Sequence, residues 1–195
     1  MDNLERRRIE VRKSWVNNLS NDDRYEWLCN CYQLRCDDDY AYGGCSLHGP
    51  YDPDACPMSV TIDFRQFCIL ALWAKVLPND WDWEKFLSRA GTDVPSAFEK
   101  ADVEERWGKK MSNQLQFTAF CIYDRTVQDD GQTEKENMAS ELAYYPSDEV
   151  LDQIGGRAGW ILFGRSLIAS DRFQKSSPSL VSAEDVDEYF QFLNA

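Results

Sequence analysis

The sequence predicts an all-α protein: a mainly helical single domain whose C-terminal part is an irregular extension or contains a short strand. Three observations lead to this prediction. The length of 195 residues fits one domain. The 43% hydrophobic and 13% aromatic content is enough to build a core and argues against disorder. Apolar residues recur every three or four positions along most of the chain, which is the period of an amphipathic helix.

Three helices are predicted in the first part of the chain. The stretch 2–19 carries a narrow apolar stripe, and the stretch 20–36 begins at Ser20, whose hydroxyl suits a helix N-cap. Residues 37–60 are rich in Gly and Pro and predict a loop. Residues 61–77 are apolar around most of the helix circumference, so they predict the central buried helix.

Three further helices are predicted over 81–90, 96–107 and 112–123. Asp80 suits the N-cap of the first of them, and Gly91 suits its end. Most large rings on these helices should be core, but one or two are expected in an exposed groove because aromatic residues make good binding anchors. These rings are Trp73, Trp81, Trp83, Phe86, Phe98 and Trp107.

The composition becomes polar and acidic over residues 124–140, which predicts a linker. We therefore divide the chain into a helical domain, 1–128, and a C-terminal extension, 129–195, packed on that domain. Within the extension, residues 160–168 suit either a strand or a helix. Gly155-Gly156 predicts a tight chain reversal rather than a phosphate loop, since no Lys-Ser follows. A last helix is predicted from residue 182.

The net charge of −13 argues against a protein that reads a nucleic-acid backbone, which needs a basic face. A single histidine leaves little room for histidine-based acid–base chemistry. The N-terminal residues lack the apolar segment of a signal peptide, and the longest apolar stretch is too short for a membrane span. We therefore expect a protein of the cytoplasm or nucleus, without a membrane partner, whose seven cysteines are free thiols.

Four stretches, in this order along residues 20–125, resemble the helical module that accompanies the zinc finger in fungal MYND-type zinc-finger proteins. The resemblance implies an all-helical companion module of fungal type without a catalytic role. The MYND finger itself is absent, since the chain has no pair of C-x-x-C clusters, and residues 129–195 have no counterpart. The matching residues are Arg24 with 31–40, Gly49-Pro50-Tyr51 with 63–67, Leu77-Pro78 with Trp81 and Trp83, and 98–103 with Trp107-Gly108 and Gln114-Leu115.

Zinc is the first chemistry that the residues suggest. Cys45-x-x-His48 has the spacing of a ligand pair, and Cys56 lies in the same predicted loop. The alternative is that the thiols act as small hydrophobic side chains, which we expect for Cys29 and Cys36 on a helical apolar stripe. The predicted cofactor is therefore none, with zinc as the alternative. If zinc is bound, the predicted ligands are Cys36, Cys45, His48 and Cys56.

The other candidate chemistries are weaker. A nucleophilic Cys45 or Cys56 with His48 as its base would rest on one flexible loop, so no catalytic residue is predicted. Asp37, Asp38 and Asp39 lack the spacing of a calcium loop and predict a solvated turn. Arg35 is expected to pair with Asp37 or Asp38.

The predicted function is a non-catalytic intracellular adaptor or regulatory protein of fungal type that binds another protein with a basic surface. The predicted binding residues are Trp81, Trp83, Tyr40, Tyr51 and Asp82. One alternative is an enzyme or accessory factor that acts on a small apolar molecule in an aromatic pocket. The marker of that alternative would be a closed cavity lined by Trp73, Trp81 and Tyr32. A second alternative is a zinc-stabilised interaction module.

Overall fold

The structure, a computed structural model, describes residues 3–42, 47–96, 98–126, 131–175 and 191. Over these ranges it contains ten α-helices and no strand, which confirms the all-α prediction. Short 3₁₀ helices cover Ser14–Asn18 and Gly49–Tyr51. The α-helices are α1 (Asn3–Arg12), α2 (Asn21–Ala41), α3 (Pro57–Trp73), α4 (Trp83–Asp93), α5 (Lys100–Trp107), α6 (Lys109–Tyr123), α7 (Glu134–Tyr144), α8 (Asp148–Gln153), α9 (Gly156–Ala169) and α10 (Asp171–Lys175).

The second helix is longer than its sequence pattern predicts. It begins after Ser20, whose hydroxyl accepts a hydrogen bond from the backbone N–H of Asp23, as a helix N-cap does. It then continues through the aspartates to Ala41, so the predicted solvated turn is wrong. The physical reason is that Asp38 and Asp39 are buried, and Arg35 pairs with Asp39 one helical turn later rather than with Asp38.

The boundaries of α4 also differ from the prediction. Asp82 caps this helix by accepting a hydrogen bond from the N–H of Lys85, so Asp80 is not the cap. Gly91 lies inside the helix instead of ending it. A Cβ atom at Gly91 would lie 2.6 Å from the Cβ of Ser166, so this glycine lets α4 pack closely on α9.

The helices after residue 131 share one core with the earlier helices. Helix α9 packs along α4, and α7 packs along α3. The segment 160–168, which suited a strand or a helix, is helical, and its Phe163 ring stacks on the central Phe64 ring at 5.2 Å. Gly155 and Gly156, both with positive φ, reverse the chain between α8 and α9, as predicted. The predicted helix from residue 182 lies outside the described residues.

A continuous aromatic cluster joins the N-terminal segment to α2, α4 and α5. The Trp15 ring stacks on Trp27 at 6.3 Å, and Trp27 meets Trp107 edge to face at 5.4 Å. The indole N–H of Trp15 donates to the Val76 carbonyl, which attaches the 3₁₀ helix of residues 14–18 to the chain that follows α3. No described helix has the length and apolar character that crossing a membrane requires.

Candidate functional site

Helix α2 carries a candidate site at each end. Its first turn borders an open groove shared with α4, and its last turns border a buried polar cluster shared with α3. The groove has a volume of about 740 Å³ and continues into a smaller recess of about 240 Å³ beside Trp81. We call this whole depression the α2–α4 groove. Its main lining residues are Asp22, Tyr25, Trp81, Asp82, Glu84 and Lys85.

The floor of the α2–α4 groove is aromatic. Tyr25 is buried and meets the half-buried Trp81 edge to face, with ring centroids 5.0 Å apart. Trp81 in turn packs on Phe86 of α4 at 5.0 Å. These contacts hold the two floor rings in place, so the groove is a preformed surface with a rigid aromatic base.

The rim of the groove is acidic. Three cations line it, and each one already pairs with a groove carboxylate; these pairs are Arg24–Asp80, Lys85–Asp82 and Arg89–Asp93. Two further carboxylates, Asp22 and Glu84, are exposed and have no ion-pair partner among the described residues. The groove therefore presents two carboxylates that form no ion pair with a side chain of the described residues.

The predicted binding residues are divided between the groove and other places. Trp81 and Asp82 line the groove. Trp83 lies next to it, half-buried, and its ring meets the Trp81 ring edge to face at 6.2 Å. Tyr40 is 54% exposed near the other end of α2. Tyr51 is held by the backbone of Phe98, since its hydroxyl donates to the Phe98 carbonyl and accepts from the Phe98 N–H.

The three residues proposed for a closed aromatic pocket lie in different surroundings. The Tyr32 ring is fully buried between Phe64 and Phe67, at 5.0 and 5.3 Å. Trp81 instead belongs to the groove floor, and Trp73 is half-buried at the end of α3. The rings of Tyr32 and Trp81 therefore do not face a common cavity.

At the other end of α2, three elements bring together a thiol, an imidazole and a carboxylate, which we call the Cys–His–Asp cluster. Cys36 comes from α2, His48 precedes the 3₁₀ helix Gly49–Tyr51, and Asp63 comes from α3. His48 Nδ1 lies 3.7 Å from the Cys36 sulfur and 3.1 Å from Asp63 Oδ2. One ligand atom of each residue lies within 4.8 Å of the other two.

Further polar groups hold this cluster. Tyr32 donates a hydrogen bond to Asp63, and the other imidazole nitrogen of His48, Nε2, lies 3.5 Å from Asp39 Oδ2. Asp39 is fixed by Arg35, whose Nε lies 2.9 Å from Oδ1. The imidazole therefore lies between two carboxylates, each of which is oriented by another side chain.

The backbone of Gly49 closes one side of the cluster. This residue has φ +56°, in the left-handed region that favours glycine. A Cβ atom here would overlap the Tyr32 hydroxyl and would lie 2.7 Å from Asp63 Oδ2 and 3.1 Å from the Cys36 sulfur. Gly49 is thus needed for close packing, which a sequence pattern alone does not reveal.

A network of buried charges continues from the cluster to α7. Arg125 lies 3.8 Å from Asp39 and pairs with Glu136, which is 1% exposed, at 2.8 Å. Glu136 also accepts a hydrogen bond from the N–H of Thr133, so it caps α7 and neutralises a cation at the same time. The Arg35 guanidinium stacks on the Tyr123 ring at 4.6 Å.

Burial and neighbouring charges shift the pKa values of Cys36, Asp39 and His48. A negative Cys36 sulfur, Asp63 and Asp39 all raise the pKa of His48, against the opposing effect of burial. Burial raises the pKa of the Cys36 thiol, although His48 acts in the opposite direction. Burial also acts to raise the pKa of Asp39, but His48 and Arg35 outweigh it and lower that pKa. The raised pKa of His48 favours a charged imidazole.

Of the four zinc ligands predicted from the sequence, the structure brings together Cys36 and His48. Cys56 is not part of the cluster, because it caps α3 and its sulfur accepts a hydrogen bond from the N–H of Ser59. Cys45 lies outside the described residues. Asp63 was not predicted as a ligand, although it is the one acidic residue of the mainly apolar helix α3, a signal that could have identified it.

The geometry argues against a nucleophilic role for the cluster. The Cys36 side chain is fully buried, so its sulfur offers no approach to a substrate. A reactive cysteine needs a depressed pKa and partial exposure, whereas burial raises the pKa of this one.

No protein-family model, curated protein or solved structure matches the chain. The resemblance to the MYND-associated module stays a prediction.

Proposed function

We propose that this protein is a non-catalytic adaptor or regulatory protein that binds a basic segment of another protein in the α2–α4 groove. The observation that carries the proposal is the combination of an aromatic floor with two exposed rim carboxylates, Asp22 and Glu84, that form no ion pair with a described side chain. The proposed location is the cytoplasm or the nucleus, because a reducing compartment keeps thiols free, as the described cysteines are.

Charge complementarity defines the occupant. The chain carries a net charge of −13, which attracts a cationic partner over long range and raises its rate of association. Within the groove, Asp22 and Glu84 are available to pair with Lys or Arg side chains. A neutral or acidic segment would gain nothing from these carboxylates and would pay for their desolvation.

The aromatic floor supplies the second part of recognition. Lys and Arg side chains have apolar stems that cover rings while the charged end stays in water. A cation close to the face of Trp or Tyr gains about 0.5–1 kcal/mol at exposed sites. Tyr25 and Trp81 therefore favour a segment in which basic residues are spaced by apolar ones.

The test is a binding titration of the full chain with three synthetic peptides of equal length. The first alternates Lys and Arg with Leu, the second has the same charge but Ser in place of Leu, and the third is acidic. We expect binding in the order first, second, third, with an affinity that falls as salt screens the charges. Equal binding of the basic and acidic peptides would contradict the proposal.

A matched pair of variants locates the binding surface. Asp22→Asn/Glu84→Gln removes two groove charges, and Glu134→Gln/Glu149→Gln removes two exposed charges that also lie in first helical turns. Both variants change net charge and helix-dipole interactions equally. The groove variant should weaken binding of the first peptide about 3- to 30-fold. An equal loss of affinity in the control variant would mean that binding depends only on net charge, and it would refute a binding site in the groove.

A further inference from the structure

We propose that the Cys–His–Asp cluster is a binding site for a divalent transition-metal ion of the zinc class, with Cys36 Sγ, His48 Nδ1 and Asp63 as ligands. Thiolate, imidazole and carboxylate are the three ligand types that zinc takes from proteins. The proposal does not depend on the α2–α4 groove, because it rests on different residues at the other end of α2.

The two ligand distances that meet at His48 Nδ1 match a tetrahedral site before any ion is added. With zinc bond lengths of 2.0 to 2.3 Å, the sulfur–nitrogen edge of a tetrahedron is about 3.6 Å and the nitrogen–oxygen edge about 3.3 Å. In this chain, Cys36 Sγ lies 3.7 Å from His48 Nδ1, and the two Asp63 oxygens lie 3.1 and 3.3 Å from it. His48 therefore needs to move little relative to either of the other two ligands, and all three ligand atoms already lie within 4.8 Å of one another.

The outer partners also suit a metal site. Histidines that bind a metal through one ring nitrogen usually donate the other N–H to a carboxylate, a backbone carbonyl or water. Here Nδ1 faces the two other ligands, and Nε2 faces Asp39, which Arg35 holds in place. The Tyr32 hydroxyl orients Asp63 in the same way. Asp39 is thus a positioning residue that acts through His48.

Access and proton balance are compatible with loading from solution. The His48 and Asp63 side chains are 29% and 25% exposed, so an ion can reach them, whereas Cys36 lies beneath. Binding forms bonds from the metal to S, N and O, while the thiol proton of Cys36 and the Nδ1 proton of His48 leave to solvent. With three protein ligands, water supplies the fourth position.

The ligand set is tested on the purified full chain, stripped with a chelator and titrated with Zn(II) or Co(II) alone. We expect one equivalent to bind, and Co(II) to give tetrahedral visible bands with one thiolate charge-transfer band. X-ray absorption of the unmutated Zn(II) form should find one sulfur among nitrogen and oxygen neighbours. Absence of stoichiometric binding, or a shell with three sulfurs, would overturn the proposal.

Variants separate the proposed ligands from the thiol favoured by sequence spacing. Cys36→Ser should abolish the charge-transfer band and weaken Co(II) binding by about 100-fold or more, and Cys56→Ser should leave both unchanged while keeping a hydroxyl cap on α3. Asp39→Asn should weaken binding by about 10- to 100-fold with the same spectrum, as loss of an outer partner does. A charge-transfer band that survives in Cys36→Ser, or disappears in Cys56→Ser, would refute the assignment. The X-ray absorption measurement needs no variant and decides the matter if Cys36→Ser does not fold.

Discussion

The two ends of α2 place charge in opposite ways. At the first turn, charged side chains lie on the surface around an aromatic floor, and Asp22 forms no ion pair with a described side chain. In the last turns, Arg35 and Asp39 are buried and paired with each other. One helix thus combines an exposed acidic rim with an internal ionic network.

This difference indicates what each end is suited to do. A buried charge without compensation is strongly destabilising, so the C-terminal end requires its network simply to fold. An exposed carboxylate is hydrated and has little effect on folding. Asp22 at the first turn of α2 is therefore available for a partner, whereas Arg35 and Asp39 in the last turns are already paired with each other.

The largest effect is expected from the buried ionic network. Glu136→Gln removes the carboxylate that pairs with Arg125 and also weakens the cap of α7. The free energy of unfolding should fall by about 3 kcal/mol, as expected when one partner of a buried pair is lost. Denaturant unfolding monitored by circular dichroism measures this loss.

Glu134→Gln provides the control on the same helix. Glu134 is exposed, so its replacement should reduce the free energy of unfolding by less than about 1 kcal/mol. Equal losses of unfolding free energy for the two substitutions would mean that the buried pair of Glu136 with Arg125 stabilises the fold no more than an exposed charge does. That result would contradict the prediction.

The next largest effect is expected at Gly49. Gly49→Ala brings a methyl group against the Tyr32 hydroxyl in a backbone conformation that alanine rarely adopts. Overpacking and strain together should reduce the free energy of unfolding by about 2 kcal/mol or more. Gly131→Ala requires the same unfavourable positive φ, but no atom of the described residues lies within 4 Å of the added methyl group. A smaller loss of unfolding free energy for this variant would isolate the steric contribution at Gly49.

The smallest effect is expected at the groove end. Asp82→Ala removes the N-cap of α4 and should reduce the free energy of unfolding by about 1 kcal/mol. Asp82→Asn keeps a side-chain oxygen that can accept the hydrogen bond from the Lys85 N–H. Thermal unfolding should therefore show a smaller loss of stability for this variant than for Asp82→Ala. If both variants lose the same unfolding free energy, the negative charge of Asp82, and not its capping hydrogen bond, stabilises α4.

The sequence was sufficient for the parts of the fold that depend on local pattern. Ser20 caps α2 as predicted, and the apolar segment around Phe64 forms the centre of the core. The end of α2 was not predictable in this way, because three consecutive aspartates are typical of a turn. Only the burial of Asp38 and Asp39 against distant groups, including Gln116 and Arg125, makes them helical.

The candidate sites show the same limit. Spacing along the chain favoured Cys45 and Cys56 as companions of His48, since they lie in one predicted loop. The companions that the fold supplies are Cys36, which was also among the predicted ligands, and Asp63, which was not. They lie on two different helices, and their proximity depends on how α2 packs near α3. For the groove, Trp81 and Asp82 were identified because a ring beside an acidic residue is a local signal, whereas Glu84 and Asp22 meet only through packing.

A residue-resolved NMR titration of the full chain with the Lys/Arg–Leu peptide tests the proposed function most directly. We predict that the amide signals of Asp22, Tyr25 and Lys85 and the indole N–H signal of Trp81 shift together and saturate. The amide signals of Glu134 and Glu149, which have comparable exposed charges at helix starts, should remain in place. Shifts of equal size at these control positions, or no saturable shift in the α2–α4 groove, would contradict the account.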